Sequence, residues 1–242
     1  MTGGSRGIGA ATARTLARAG WDVAIGYRRE AAAAEEVVAA CRAEGRRAIA
    51  VPGDVSREGD VRALFAEVDR ELGRVGALVS NAGIVAPHVP VEEMDAARVT
   101  TMMAVNVVGP FLCAREAVRR MARRHGGEGG VIVHVSSAAA RRGGANEYVD
   151  YAASKAAIDT LTVGLAQEVA ADGIRVASVR PGLIDTEIHA RNGYPERLAQ
   201  RAPGLPMRRV GTAQEVANAI AWLCSDEASY VTGAILDVTG GI

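Results

Sequence analysis

Cysteine is scarce in this chain: Cys41, Cys113 and Cys224 are three in 242 residues, far apart and with no CxxC pair. That excludes a disulfide framework and a thiolate zinc site, and it implies a reducing compartment with buried thiols. The four histidines offer no metal-ligand spacing, so no metal is expected. Charge of either sign is not in excess, with 28 Lys plus Arg against 28 Asp plus Glu. A neutral chain gives no electrostatic reason for a nucleic-acid or anionic-membrane partner. The one local basic run, Arg119, Arg120, Arg123 and Arg124, reads as the solvated face and C-terminal end of a helix. No uninterrupted apolar run approaches the roughly 20 residues of a membrane span, and no signal peptide opens the chain. A cytoplasmic protein follows as the expectation. No Pro/Gly/Ser-rich linker interrupts the sequence, so residues 1–242 read as one domain.

Short valine- and isoleucine-rich runs are present, and they alternate with amphipathic stretches. The runs are 21–27, 47–51, 75–80, 131–136, 174–179 and 234–238, with helical patterns near 8–19, 31–44, 57–72, 95–124, 150–172 and 212–225. Strands apolar throughout are buried on both faces, and strands alternating with helices of this length make βαβ units. The fold class is therefore α/β, a doubly wound Rossmann-type parallel sheet with helices on both faces. Residues 185–210 carry Gly, three Pro and mixed charge and read as an irregular segment covering a site. The chain opens MTGGSRGIGAATARTLARAG, a glycine turn and helix without the strand that should feed them. That strand is central in a dinucleotide-binding fold. Its absence predicts a gap with unpaired backbone groups on both sides, and a native start upstream of Met1.

The opening turn holds Gly3, Gly7 and Gly9, with Ser5, Arg6 and Ile8 between them. Glycines permit positive φ and let the backbone approach a pyrophosphate at a helix N-terminus. At the end of the next strand, where an NAD site usually carries an acid for the ribose 2′-OH, the sequence continues AIGYRR. Arg28 and Arg29 there, with Arg6 in the turn, suit a 2′-phosphate through bidentate hydrogen bonds. The cofactor reading is NADP(H), with NAD(H) less favoured.

Residues 147–155 read EYVDYAASK. Tyr151 and Lys155 form an i, i+4 pair on one helical face, whereas Tyr148 has Ala152 at that position. A free phenol titrates near pH 10, and a neighbouring ammonium favours its anion, so Tyr151 is the candidate general acid and base and Tyr148 a wall of the cleft.

Seven motifs occur in order: TGGSRGIG, GDV at 53–55, NAG at 81–83, VNVVG at 105–109, VSS at 135–137, YAASK at 151–155 and RPG at 180–182. Together they resemble the short-chain dehydrogenase/reductase family across almost the whole chain, most closely glucose 1-dehydrogenase-like and 3-oxoacyl-carrier-protein reductase-like members. The resemblance implies hydride transfer between a carbonyl or alcohol and NADP(H). It implies that Ser137, with Ser136 as the neighbouring alternative, binds the substrate oxygen, and that Asn106 helps hold Lys155 and a relay water. It places Asp54 and Val55 near the adenine, Asn81, Ala82 and Gly83 along the cofactor cleft, and Pro181, Gly182, Ile184 and Thr186 at the carboxamide. Lys155 also bonds the nicotinamide ribose in this reading. Family members commonly form homotetramers, through segments matching 95–124, 150–172 and 234–238. Two rival functions are an enoyl-type double-bond reductase, which the Y-x-x-x-K spacing opposes, and a non-catalytic nucleotide sensor, which the retained Tyr151 and Lys155 oppose.

Overall fold

The computed structural model describes residues 1–187, 194 and 196–242. Helix α1 (Gly7–Arg18) leads to β1 (Val23–Tyr27), α2 (Ala31–Ala43), β2 (Ala48–Pro52), α3 (Glu58–Glu71) and β3 (Ala77–Ser80). The second half runs α4 (Ala96–Met103), α5 (Gly109–Met121), β4 (Gly130–Val135), the short α6 (Ala139–Arg142), α7 (Val149–Val169) and β5 (Ile174–Pro181). Then come β6 (Ile184–Asp185), α8 (Arg197–Arg201), β7 (Gly211–Thr212), α9 (Ala213–Cys224) and β8 (Ile235–Val238). Every pairing is parallel, β1 with β2 and then β3-β4-β5-β8 in spatial order.

Alternation along each strand sends side chains to two cores. Val131, Val133 and Val135 of β4 pack with Leu16, Ile25, Val37 and Ile220 on the α1, α2 and α9 face. Ile132 of the same strand packs with Phe65, Cys113, Ala117 and Val169 on the α3, α5 and α7 face. The expected burial of both sheet faces is what the hydrophobic runs encode.

The centre of the sheet is where the expectation needs correcting in degree. Thr2 forms isolated parallel bridges to Gly26 and to Ser80, and so joins β1 to β3. The Met1 ammonium donates to the Ala24 carbonyl at 2.9 Å. The Gly26 amide donates to the Met1 carbonyl at 2.8 Å and the Thr2 amide to the Val79 carbonyl at 3.0 Å. A few residues thus satisfy backbone groups that a bare gap would leave unpaired.

The expectation about membrane-length runs also changes. Ala96–Met121 is one helical run whose most apolar window has a mean hydropathy of 1.3, long and apolar enough to cross a membrane by length and composition. In the fold its α5 part lies along the sheet, with Cys113, Ala117 and Met121 buried against it, and Met102 and Val105 are buried further up the run. Charged Arg98, Arg115 and Glu116 punctuate the run, which is why reading for uninterrupted apolar stretches passes over it.

Candidate active site

The glycine turn lies where α1 starts, at the C-terminal ends of β1 and β3. Gly3 and Gly7 sit at φ of 61° and 49°, which other residues rarely adopt. A Cβ on Gly9 would stand 2.2 Å from the Gly3 carbonyl oxygen and 2.7 Å from Asn81 Nδ2, so only glycine lets the turn close. Asn81 pins the turn from below, its Nδ2 donating to the Gly3 carbonyl at 2.9 Å. The Asn81 and Ala82 amides donate to Thr2 Oγ1 at 3.0 and 3.1 Å. The first amides of α1 are left facing a cleft of about 690 Å³.

Sequence-proposed residues converge on that cleft. Gly3, Ser5, Arg6, Gly7, Ile8 and Gly9 line one end, and Asn81, Ala82 and Gly83 its side. Ser137, Tyr151 and Lys155 form the far floor, and Pro181, Gly182, Ile184 and Thr186 the opposite wall. Five proposed residues lie outside the lining, Asn106 among them. Arg28 and Arg29 are exposed, and Arg28 Nε pairs with Asp54 Oδ2 at 2.9 Å. Asp54 also accepts from Ser56, and Val55 packs under Gly109.

The two serines differ in their hydrogen bonds. Ser136 is buried and its Oγ donates to the Lys155 carbonyl at 3.0 Å, tying β4 to α7. Ser137 hydrogen-bonds Tyr151, and its Oγ accepts from the Ala139 amide at 3.1 Å. Lys155 is buried, and its Nζ donates to the Val135 carbonyl at 2.8 Å and lies 5.7 Å from the Tyr151 ring centre.

Asn106 is anchored to the loop after β3. It is fully buried in a π-helical turn, Ala104–Val108, that separates α4 from α5. Its Oδ1 accepts from the Ile84 amide at 2.8 Å, and its Nδ2 donates to the Ile84 carbonyl at 2.9 Å and Ser154 Oγ at 3.1 Å. The wide turn brings this side chain into the loop after β3. Its oxygen and Lys155 Nζ both flank Gly83, but the hydrogen bond that holds Lys155 comes from Val135.

The surroundings of Tyr151 and Lys155 act on both groups chiefly through burial. Burial pushes Tyr151 up to about 12, the Ser137 hydrogen bond opposing it, and burial pushes Lys155 down to about 8. Desolvation is the largest influence on the phenol and favours its protonated form.

Several residues of the cleft escaped the sequence reading. Arg6 is ion-paired with Glu30 and, at 3.3 Å, with Glu187, and both carboxylates line the cofactor end. Glu30 stands just past Arg29, where a search for an acid at the strand end could have found it. Arg98 makes a two-point pair with buried Asp150, at 2.8 and 3.2 Å, and donates to the Pro87 carbonyl at 2.7 Å. Since the Tyr151 amide donates to Asp150 Oδ1 at 2.9 Å, this pair fixes the turn that carries Tyr151. At the other end, Arg197 binds Glu147 at 2.7 Å, Tyr148 Oη at 3.1 Å and His88 Nε2 at 3.1 Å. Arg180, which had no sequence-level explanation, is paired to Asp159 at 2.9 Å. Of the covering segment 185–210, residues 188–193 and 195 lie outside the described residues.

A family model described as enoyl-(acyl carrier protein) reductase matches residues 3–242. An uncharacterized oxidoreductase, YgfF, of Escherichia coli is 52% identical over 100% of this chain and 98% of its own. The chain belongs to the short-chain dehydrogenase/reductase family. Cis-4-hydroxycyclohexanecarboxylate dehydrogenase of Sinomonas cyclohexanicum is 43% identical over 100% of this chain and 94% of its own. The crystal structure of a short chain dehydrogenase from Burkholderia cenocepacia in complex with NADP has a TM-score of 0.91 at 35% identity, covering 100% of this chain and 95% of that one. As a short-chain dehydrogenase/reductase, the protein is an oxidoreductase acting on alcohol and carbonyl groups.

Proposed function

We propose that this short-chain dehydrogenase/reductase interconverts a carbonyl and an alcohol with NADP(H), Tyr151 being the general acid and base. The observation that carries the reading is the meeting of Ser137, Tyr151 and Lys155 on the floor of the cleft whose other end is the glycine turn. That turn fits a dinucleotide: Gly9 leaves no room for a Cβ, and the N-terminal amides of α1 face the cleft. The bound nicotinamide supplies or accepts the hydride. Ser137 holds the substrate oxygen beside the Tyr151 phenol. The phenol, protonated at neutral pH, gives its proton to a carbonyl oxygen as reduction proceeds, and takes it back in oxidation. Lys155, anchored at the Val135 carbonyl, places a cation beneath the ring and within reach of the ribose.

Arg6 is the arginine at the cofactor end of the cleft, and it favours NADP(H). Its partners Glu30 and Glu187 are carboxylates that a 2′-phosphate would replace at the guanidinium. Glu30 is also the observation that keeps NAD(H) in view, since a carboxylate here can accept from a ribose 2′-OH. Initial rates with NADPH and NADH over a panel of ketones and alcohols test the whole reading. Absence of turnover with either cofactor would sink it. A double-bond reductase is opposed by the Ser137–Tyr151 contact, which places a donor pair on a single oxygen.

The same proposal extends to assembly and place. Val108 at the end of the π turn, Phe111 of α5, Val163 of α7 and Leu236 of edge strand β8 are exposed. Apolar side chains there suit a homotetramer built through α5, α7 and β8. Light scattering at micromolar concentration checks this, and a monomer would refute it. Three free, buried cysteines suit the cytoplasm.

A further inference from the structure

The substrate end of the cleft carries more positive charge than its own carboxylates balance. Arg142, at the end of α6, and Arg197 and Arg201, on α8, all line it, against two carboxylates, those of Glu147 and of the C-terminal residue Ile242. Glu30 and Glu187 line the other end, with Arg6. Glu147 already serves two of the three arginines: Oε2 accepts from Arg197 at 2.7 Å and Oε1 from Arg201 at 2.7 Å. His88 adds no positive charge. Burial and the Arg197 guanidinium hold its imidazole below the ordinary value, and Nε2 accepts from Arg197 Nη1 at 3.1 Å. Arg142 has no ion-pair or hydrogen-bond partner for its side chain among the described residues.

These groups surround Tyr148. The Arg197 guanidinium carbon lies 5.5 Å from its ring centre, and both Arg197 and Arg142 exert their charge on its phenol. The Tyr148 ring stands edge-on to Tyr151 at 5.7 Å. The Arg197 guanidinium is therefore about one aromatic ring from the phenol that carries the catalytic proton.

We infer that the substrate is a keto acid or hydroxy acid, its carboxylate held by Arg142 together with Arg197 and Arg201, about one ring-length from the reacting carbon. This rests on Tyr151 being the acid and base of the proposed reaction. A guanidinium presents parallel N–H donors that match the two oxygens of a carboxylate. Glu147 displays how Arg197 and Arg201 close on such a group. A neutral substrate would gain nothing from Arg142, whereas a carboxylate there meets a guanidinium with no direct ion-pair partner among the described residues, in a partly desolvated cleft. Glu147 in turn competes with the substrate for Arg197 and Arg201, and so limits how tightly a product acid is held.

The test pairs each acid with its methyl ester: levulinate, and para-acetylbenzoate as the rigid member. Two quantities are read: kcat/KM with NADPH, and binding to the NADPH-loaded protein by calorimetry. The acid should be preferred by about tenfold or more in both, as for a charge-assisted hydrogen-bond pair. Arg142→Met should remove most of that preference and Arg142→Lys restore part of it. Glu147→Gln, which removes the competing charge but keeps the shape, should raise the acid-to-ester ratio. Equal binding of acid and ester by the native protein would overturn the inference, and so would an Arg142→Met variant that weakens both by the same factor. Failure of the underlying reaction looks different: no ketone or alcohol is turned over, while calorimetry still reports whether acid and ester are distinguished.

Discussion

At the cofactor end of the cleft, backbone makes the site: Gly3 and Gly7 supply positive φ, Gly9 supplies room, and Asn81 and Thr2 lock the turn to β3. At the substrate end, side chains make it: His88, Arg142, Glu147, Tyr148, Tyr194, Arg197 and Arg201 come from four separate stretches of chain and meet through charge and ring contacts. His88 and Tyr194 stack at 4.0 Å, and the His88 amide donates to Tyr194 Oη at 3.1 Å. The first end rests on parallel strands with both faces buried. The second rests on α8 and on loops, where exchangeable ion pairs hold the parts together. A rigid end fixes the common reactant, and an end made of side chains is free to differ between relatives that share the chemistry.

The largest effect is expected where the two ends meet. Tyr151→Phe keeps the ring against Tyr148 and Lys155 but removes the proton donor, so kcat should fall roughly a hundred- to ten-thousandfold. NADPH affinity by fluorescence titration should barely change, because the glycine turn is untouched. A large loss of NADPH affinity would show that the two ends are not separable.

Next in size is the cofactor end alone. Arg6→Ala removes the guanidinium that lines the cleft and should weaken NADPH roughly ten- to a hundredfold, as a lost charged hydrogen bond does, and NADH far less. Arg28→Asp should discriminate less, since Arg28 is spent on Asp54 and lies outside the lining. Kd for both cofactors measures this. The reverse order would return the 2′-phosphate to the end of β1.

Acidity should separate the two directions of reaction more modestly. Burial raises Tyr151 to about 12, so the acid form needed for carbonyl reduction is present across the neutral range. The first group to change is Lys155, whose folded pKa of about 8 means its positive charge is lost as pH rises through that value. Reduction by the native protein should therefore decline by less than about tenfold above pH 8, and Lys155→Met should lack that limb of the profile. Alcohol oxidation, which needs the phenolate, should instead gain from rising pH.

How much of this was legible in the sequence follows from the same contrast. The strand runs at 131–136 and 174–179 match β4 and β5 to within two residues, because a strand buried on both faces has to be apolar throughout. The glycine turn and Tyr151–Lys155 were legible because each is one short segment whose spacing is its geometry. Asn106 was found but its partner was not. The π turn that swings it to Ile84 breaks the 3.6-residue period without any local residue signal. Arg28 was put at the cofactor because it follows β1, yet Asp54, distant in sequence and near in space, holds it. Arg98–Asp150 and Glu147–Arg197 are pairs 52 and 50 residues apart, and no periodicity reports such meetings.

The smallest effect expected is at Tyr148, and it tests the substrate end most sharply. Tyr148 resembles Tyr151 in burial and in ring contact, and burial raises its phenol as well. What it lacks is Ser137 as partner and Lys155 behind it; its oxygen accepts from Arg197 at 3.1 Å instead. Tyr148→Phe keeps the wall and loses that one hydrogen bond, which is worth about 0.5–1.5 kcal/mol or a few-fold to about tenfold. Because the bond is made to α8 and not to the reacting oxygen, the loss should appear in KM, with kcat nearly unchanged. Steady-state kinetics on one accepted ketone separates the two parameters. A collapse of kcat in Tyr148→Phe with an active Tyr151→Phe would reverse the assignment of the tyrosines, and the ring nearest the arginines would then be the one that moves the proton.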